Sequence, residues 1–334
     1  MREEVPMKKL IKPATLRAND KVAVFSPAGA EAYENPQRYR NGKAALASLG
    51  LQVFETPNAV RSKQWLYDNP DKRAADYNLI NSVREMKAAI AICGGNNWSR
   101  MMEPYIDFLA MQEDPKIDLS YSDNTYLKFA RWYAGQISYY GPNVMEFDGM
   151  DAYTLNSVYT TLFTGNVIGE LPRNNADDPD SAWHFISGNG GAQGQLIGGC
   201  VEVLQTITKN KVWPRAQEFK DTILFLETPE EGINVVTFEE FLRNLGKQRI
   251  LNYIAGLFFG KPGWGPAKVD PAKITAYDEV ILKVLKEYQR TDLPVVTNLP
   301  IGHTYPMMTV PMGCNMEIDV KAETLSITES GTEG

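Results

Sequence analysis

Three places in the chain carry residue types that could do chemistry. Glu227 closes the apolar run Thr222–Leu226 (TILFL), which sets a carboxylate at the carboxyl end of a strand, with Thr228 and Pro229 turning the chain directly after it. A strand end also commonly carries no more than a solvated acid. His303, one of two histidines in the chain, lies in Leu299-Pro300-Ile301-Gly302-His303-Thr304, a loop after the strand-like Pro294–Thr297. An imidazole gains and loses a proton near neutral pH, and loops on a rigid scaffold are where such groups are presented, so this position suits a general base. The third place is Cys93-Gly94-Gly95-Asn96-Asn97-Trp98-Ser99. Two glycines there let the backbone turn sharply, and a helix start behind them offers N–H groups to an oxyanion. Capping of that helix by Asn97 or Ser99 is the plainer reading.

Other candidates carry less. His184 is flanked by Trp183 and Phe185 in a strand-like run and suits packing. Gly188–Gly194 (GNGGAQG) imitates a dinucleotide fingerprint, but its third glycine falls one place late and QLIGG follows where a helix is needed. No GxxxxGK[ST] loop, HExxH or GxSxG occurs, which removes the main support for P-loop, zincin and ordinary α/β-hydrolase sites. Cys93, Cys200 and Cys314 are far apart and outside CxxC spacing, so neither a disulfide framework nor a zinc site is indicated. A cysteine nucleophile at Cys93 remains a rival, although a thiol at that strand end should face inward.

The elements that must position these groups follow from hydrophobic patterning. Strands are expected at Lys21–Ser26, Leu51–Glu55, Ala88–Cys93, Pro115–Leu119 and Ile137–Tyr140, with helices at Asn41–Leu49, Ala74–Lys87 and Asn124–Tyr133 between them. Strands alternating with helices imply an α/β fold with a doubly wound parallel sheet. The polar segment Arg173–Ser181 (RNNADDPDS) breaks the pattern and reads as a linker or exposed loop. Beyond it come short strands at Gln195–Ile197, Thr222–Leu226, Ala255–Phe259 and Val295–Thr297, and helices at Phe238–Leu245 and Tyr277–Tyr288, a mixed α/β domain. The expected organisation is therefore an N-terminal domain over 1–170, a linker or loop over 171–192 and a C-terminal domain over 193–334.

A formal charge of -7 argues against a phosphate-backbone binder, so nucleic acid is excluded as the main partner. The first residues lack the apolar core of a signal peptide and no stretch reaches membrane-spanning length, which points to a cytoplasmic protein with no membrane partner.

Taken together, ordered blocks along the chain resemble the LD-carboxypeptidases and the related microcin C self-immunity peptidases. They are Val22–Gly29 (VAVFSPAG), Cys93–Asp107 (CGGNNWSRMMEPYID), Pro115–Thr125 (PKIDLSYSDNT), Tyr139–Val144 (YYGPNV), Gly194–Leu204 (GQLIGGCVEVL), Ile223–Thr228 (ILFLET) and Leu299–Gly313 (LPIGHTYPMMTVPMG). The blocks cover nearly the whole chain in the family's order, and the last two are specific.

This resemblance implies a serine peptidase with a flavodoxin-like N-terminal domain bearing the nucleophile and a mixed α/β C-terminal domain bearing an acid and a base. Glu227 would orient His303, and His303 would take the proton of the attacking serine. Gly95 and the residue after the nucleophile would serve the oxyanion. The family's spacing of Gly-Gly, two residues, serine places Trp98 at the nucleophile. Alignment from Pro104-Tyr105-Ile106-Asp107 places Ser99 there instead, and Ser99 is the expected nucleophile. Arg100 would serve substrate binding, Ser122 and Asp123 would line the pocket or form a plain turn, and Trp183 would pack in the core or, in an immunity-type member, stack on a nucleobase. The implied protein is a homodimer without metal or cofactor, cleaving an amide in a murein tetrapeptide or a peptidyl-nucleotide antibiotic. The alternative is a catalytically silent peptide-binding homologue with Trp98 at the nucleophile position.

Overall fold

The β-branched run Lys21–Phe25 forms strand β1, with Val22 to Phe25 buried, in a computed structural model that describes residues 8–174, 181–230, 232–265 and 269–334. After it come helices α1 (Glu31–Glu34) and α2 (Pro36–Ser48), strand β2 (Gln52–Glu55), helices α3 (Lys63–Asp68) and α4 (Pro70–Ser82), and strand β3 (Met86–Ala91). The alternation continues through α5 (Phe108–Glu113), β4 (Ile117–Ser120), α6 (Thr125–Tyr133), β5 (Ser138–Tyr140) and α7 (Ala152–Phe163). Strands β2, β1, β3, β4 and β5 lie side by side in that order, each parallel to its neighbour. A sixth strand, Val310–Met312 (β12 in chain order), joins beside β5 from near the other end of the chain.

The order 2-1-3-4-5 is the flavodoxin-like one, as expected. Its strand order reverses between β1 and β3, so the loops leaving their carboxyl ends flank the natural ligand crevice. These elements, residues 10–166 with 309–311 and 331–334, make one unit, here the N-terminal unit.

The C-terminal unit takes most of the remainder. It contains β6 (Val167–Glu170), β7 (His184–Ser187), β8 (Gly191–Cys200), α8 (Val201–Ile207), β9 (Thr222–Glu227), α9 (Val235–Lys247), β10 (Gly256–Gly260), α10 (Pro271–Glu287), β11 (Val295–Leu299), β13 (Asn315–Asp319) and β14 (Thr324–Ser330). Eight strands form one mixed sheet in the order β6-β14-β13-β8-β9-β10-β11-β7. Strands β8 to β11 are mutually parallel, and antiparallel strands flank them on both sides. Every residue of β9, β10 and β11 is buried, as a parallel core requires.

Two expectations need correction here. The helix read as Ala74–Lys87 starts at Pro70, whose fixed φ suits a first helical position, and stops at Ser82. Val83 is extended (φ -89°, ψ 108°), and Met86 and Lys87 already belong to β3. The segment 171–192 is not simply a linker: β7 pairs antiparallel with β11, and β8 begins at Gly191. Of the polar stretch Arg173–Ser181, residues 175–180 lie outside the described residues. No described helix is long and apolar enough to cross a membrane.

One feature of the N-terminal unit is costly by composition. Helix α6 (TYLKFARWY) is buried over Thr125–Trp132, so Lys128 and Arg131 are enclosed with it. A buried cation needs a partner, and Asp118 on β4 provides one. Its carboxylate pairs with Lys128 Nζ and, at 3.3 Å, with Arg131 Nε, and it accepts from the Tyr77 hydroxyl. Lys128 also donates to the Asp118 carbonyl at 2.6 Å. Arg131 is completed by Gln136 and Asn81, each at 2.7 Å.

Candidate active site

Parallel pairing brings the carboxyl ends of β9, β10 and β11 together, and chemistry is concentrated there in the C-terminal unit. Glu227 is the last residue of β9, and His303 stands in the loop after β11. His303 Nδ1 lies 2.7 Å from Glu227 Oε2, with the histidine only 2 % exposed. A neutral imidazole donating from Nδ1 to a carboxylate keeps its basic nitrogen at Nε2, the arrangement of an oriented general base.

The backbone is shaped around this pair. A Cβ on Gly260, at the end of the middle strand, would meet the Ile301 carbonyl oxygen at 2.2 Å and Glu227 Cβ at 2.9 Å. Gly302 has φ +106°, and a Cβ there would meet Glu227 Oε2 at 2.3 Å. Acid and base meet across the end of β10, and only glycine leaves them room.

Sequence reading missed two neighbours of the pair. Trp264 stacks against His303 with ring centroids 4.9 Å apart. Glu202, in the first turn of α8, accepts from Thr228 Oγ1 at 2.6 Å and from the Cys200 thiol at 3.3 Å. Burial pushes its carboxyl above the ordinary range; the Thr228 hydrogen bond opposes this and the charge of Glu227 adds to it. The Pro262-Gly263-Trp264-Gly265-Pro266 pattern, a large aromatic set between glycines, was the available signal for Trp264. Glu202 had none, because its approach to Glu227 depends on strand register.

In the N-terminal unit the loop after β3 is gripped by Asp123. Its Oδ2 accepts the Trp98 N–H at 2.8 Å and the Ser99 N–H at 3.4 Å. Ser99 Oγ donates to the Asp123 carbonyl oxygen at 2.6 Å and lies 3.2 Å from Oδ1. From the other side Arg73 Nη1 donates to the Pro27 carbonyl and, at 3.0 Å, to the Trp98 carbonyl. The Trp98 peptide is therefore held at both its N–H and its C=O. Burial raises the Asp123 carboxyl, with these hydrogen bonds and the Arg73 charge opposing it.

This changes what several candidates can do. Ser99 is 0 % exposed, and its hydroxyl ties the turn to Asp123. The amides of Trp98 and Ser99 are turned to Asp123, so neither is an open oxyanion donor in this arrangement. The segment behind them is a 3-10 helix, Ser99–Tyr105, whose N-cap residue Trp98 makes no capping bond of its own. Gly95 is needed for close approach: a Cβ would meet Ala28 Cβ at 2.8 Å and Asp123 Oδ2 at 3.0 Å. Arg100 is exposed. Ser122 has φ +65° and donates its N–H to the Tyr140 hydroxyl at 3.2 Å, so the Tyr121–Asp123 block braces the glycine turn. The Trp98 ring meets Tyr67 edge to face at 5.4 Å.

Trp183, in the C-terminal unit, is 5 % exposed with the Arg173 guanidinium 4.9 Å above its ring. It is a packed side chain with a cation over its ring rather than an open stacking surface. His184 Nδ1 lies 3.0 Å from Asp278 Oδ2 with its side chain 36 % exposed, so it is a partly exposed paired residue and not a packed core histidine. Cys93 is buried, and burial pushes its thiol well above the ordinary value, which removes the physical basis for a cysteine nucleophile.

Comparison with known proteins agrees with this division of the chain. Residues 22–141 match the LD-carboxypeptidase N-terminal domain and residues 193–318 the LD-carboxypeptidase C-terminal domain. The Microcin C7 self-immunity protein MccF of Escherichia coli is 25 % identical, with 95 % of this chain and 95 % of that protein covered. The "Probable murein peptide carboxypeptidase" of Bacillus subtilis is 26 % identical, covering 97 % and 96 %. The solved structure of MccF in complex with glutamyl sulfamoyl guanosine is 22 % identical and superposes with a TM-score of 0.81, covering 97 % of this chain and 100 % of that one. With models of both domains matched in order over residues 22–141 and 193–318, the chain belongs to the LD-carboxypeptidase family.

Proposed function

We propose that this protein is a serine-type hydrolase of amide bonds in small peptide-like substrates, either a murein tetrapeptide cleaved at its L,D-bond or a peptidyl nucleotide. The observation that carries the proposal is the buried 2.7 Å contact between His303 Nδ1 and Glu227 Oε2. Burying an acid and an imidazole together is unfavourable unless they are paired, and the buried pair here sits at the carboxyl ends of parallel strands, where ligand crevices form. In this reading Glu227 fixes the tautomer, His303 takes the proton of the attacking hydroxyl and returns it to the leaving amine, and Ser99 is the nucleophile. The names of the relatives support both substrate classes. A homodimer acting in the cytoplasm on a small substrate, without nucleic acid or membrane as partner, belongs to the same proposal.

A second reading is favoured by one observation: the Ser99 hydroxyl is buried and donates to the Asp123 carbonyl. In that reading Ser99 is structural, Trp98 stands at the nucleophile position, and the protein holds a peptide without cleaving it.

Release of D-Ala from an L-Ala, D-Glu, diaminopimelate, D-Ala tetrapeptide, and cleavage of aspartyl sulfamoyl adenosine, separate the two readings when wild type and Ser99→Ala are compared. The hydrolase reading expects turnover that falls by about three orders of magnitude in the variant. The binding reading expects no turnover, no fluorophosphonate labelling, and a stability loss of about 1 kcal/mol in Ser99→Ala from the missing hydrogen bond.

A further inference from the structure

Trp264 is 56 % exposed, yet the backbone on both sides of it is hydrogen-bonded to other segments of the C-terminal unit. The Gly263 N–H donates to the Thr228 carbonyl at 3.0 Å, beside Glu227. The Gly265 N–H donates to the His303 carbonyl at 2.8 Å, and Gly265 forms a parallel bridge with Thr304. The loop carrying the indole is thus fastened to the segment bearing the acid and to the segment bearing the base. Both flanking residues are glycines with positive φ, +121° at Gly263 and +71° at Gly265, so the chain is shaped to hold the ring out between them. One side of the indole lies on the imidazole, tilted 36° with centroids 4.9 Å apart, and the His303 side chain has no exposure.

A large apolar ring left half in water is not serving the core, and its place is against the imidazole of the proposed base. We propose that Trp264 is the specificity-determining residue of the site: it covers the imidazole in the free protein, and its solvent-facing side receives a flat group of the substrate next to the scissile bond. The chemical class is a planar amide or aromatic ring, for which an indole offers a broad apolar surface with little conformational entropy to lose. The proposal rests on the assignment of His303 as the base. Sequence periodicity could not reveal it, because a lone tryptophan in a loop follows no repeat.

The test has one arm with substrate and one without. In the first, Trp264→Ala and Trp264→Phe are compared with wild type on aspartyl sulfamoyl adenosine. KM is expected to rise about tenfold in the alanine variant and to stay within about threefold in the phenylalanine variant, with kcat little changed. An unchanged KM in Trp264→Ala, or equal losses in both variants, would overturn the proposal.

The second arm follows carbethoxylation of the two histidines by mass spectrometry in the absence of substrate, with the partly exposed His184 as internal control. His303 is expected to react at least about fivefold faster in Trp264→Ala while His184 is unchanged, and an equal His303 rate overturns the proposal. If wild type cleaves no substrate, the hydrolase reading fails, and the reactivity of His303 alone decides whether Trp264 covers it.

Discussion

Glu227→Gln is expected to lower kcat by about four orders of magnitude while the protein stays folded. Glutamine fills the same volume at the end of β9, so the packing of Gly260 and Gly302 around the side chain is kept. What is lost is the ionised acceptor. A carboxylate accepts the Nδ1 proton in only one sense, whereas an amide can present either oxygen or N–H to the ring, and the second choice moves the histidine proton to Nε2. An imidazole protonated at Nε2 cannot take a proton from a hydroxyl there, and the positive ring formed in the transition state loses its counter-charge. Steady-state hydrolysis by Glu227→Gln and His303→Ala, with thermal melts as a folding control, checks this. Wild-type turnover in a folded sample of either variant would remove the pair from the mechanism. The stability change in Glu227→Gln should be small, about 1–2 kcal/mol, because one charge-assisted hydrogen bond is replaced by a neutral one.

The largest stability effect is expected at Asp118. Replacing it with alanine leaves Lys128 and Arg131 buried on α6 without their carboxylate, and removal of one partner from a buried ion cluster costs about 3–5 kcal/mol. Urea unfolding near pH 7 measures the loss directly. The acid side gives a second signature. Burial alone would raise the Asp118 carboxyl, but the two buried cations, with hydrogen bonds from Lys128 and Tyr77, outweigh it and hold it below the ordinary value. For an acid with a depressed folded-state value, the stabilisation is complete above the unfolded-state value of ~4 and is lost as pH falls through the lower folded-state value. The difference between wild type and Asp118→Ala should therefore be constant from neutral pH down to about 5 and shrink below ~4. A difference that does not change in acid would mean that the charge on Asp118 contributes nothing.

Both predictions also mark what the chain made legible. Alternating strand and helix patterns were enough to place β1 to β5, and the apolar runs TILFL and Pro294–Thr297 were enough to put Glu227 and His303 at strand ends. Such signals are local, and local periodicity survives in one dimension. Contacts between distant segments do not. Nothing in the spacing of Tyr77, Asp118 and Arg131 announces that they share one buried site, or that helix α6 is enclosed over nearly all its residues. Strands β13 and β14 were overlooked although both alternate buried and exposed positions, because they follow the last block with a chemical signal. In the Gly94–Ser99 turn the amides of Trp98 and Ser99 serve Asp123, an acceptor brought there by the fold and not visible in the local residue types.

The order in which the chain emerges from a ribosome has a bearing on the sheet of the N-terminal unit. Its outer strand β12 is made only after most of the C-terminal unit, up to and including β11. Until then the free side of β5 is an unpaired edge, and such edges on unfinished parallel sheets invite association with other chains. Contacts that span so much of the sequence also slow folding, since the intervening chain must be closed before they form. The nascent N-terminal half is therefore the vulnerable species in biogenesis, because the protection of its edge comes late in synthesis.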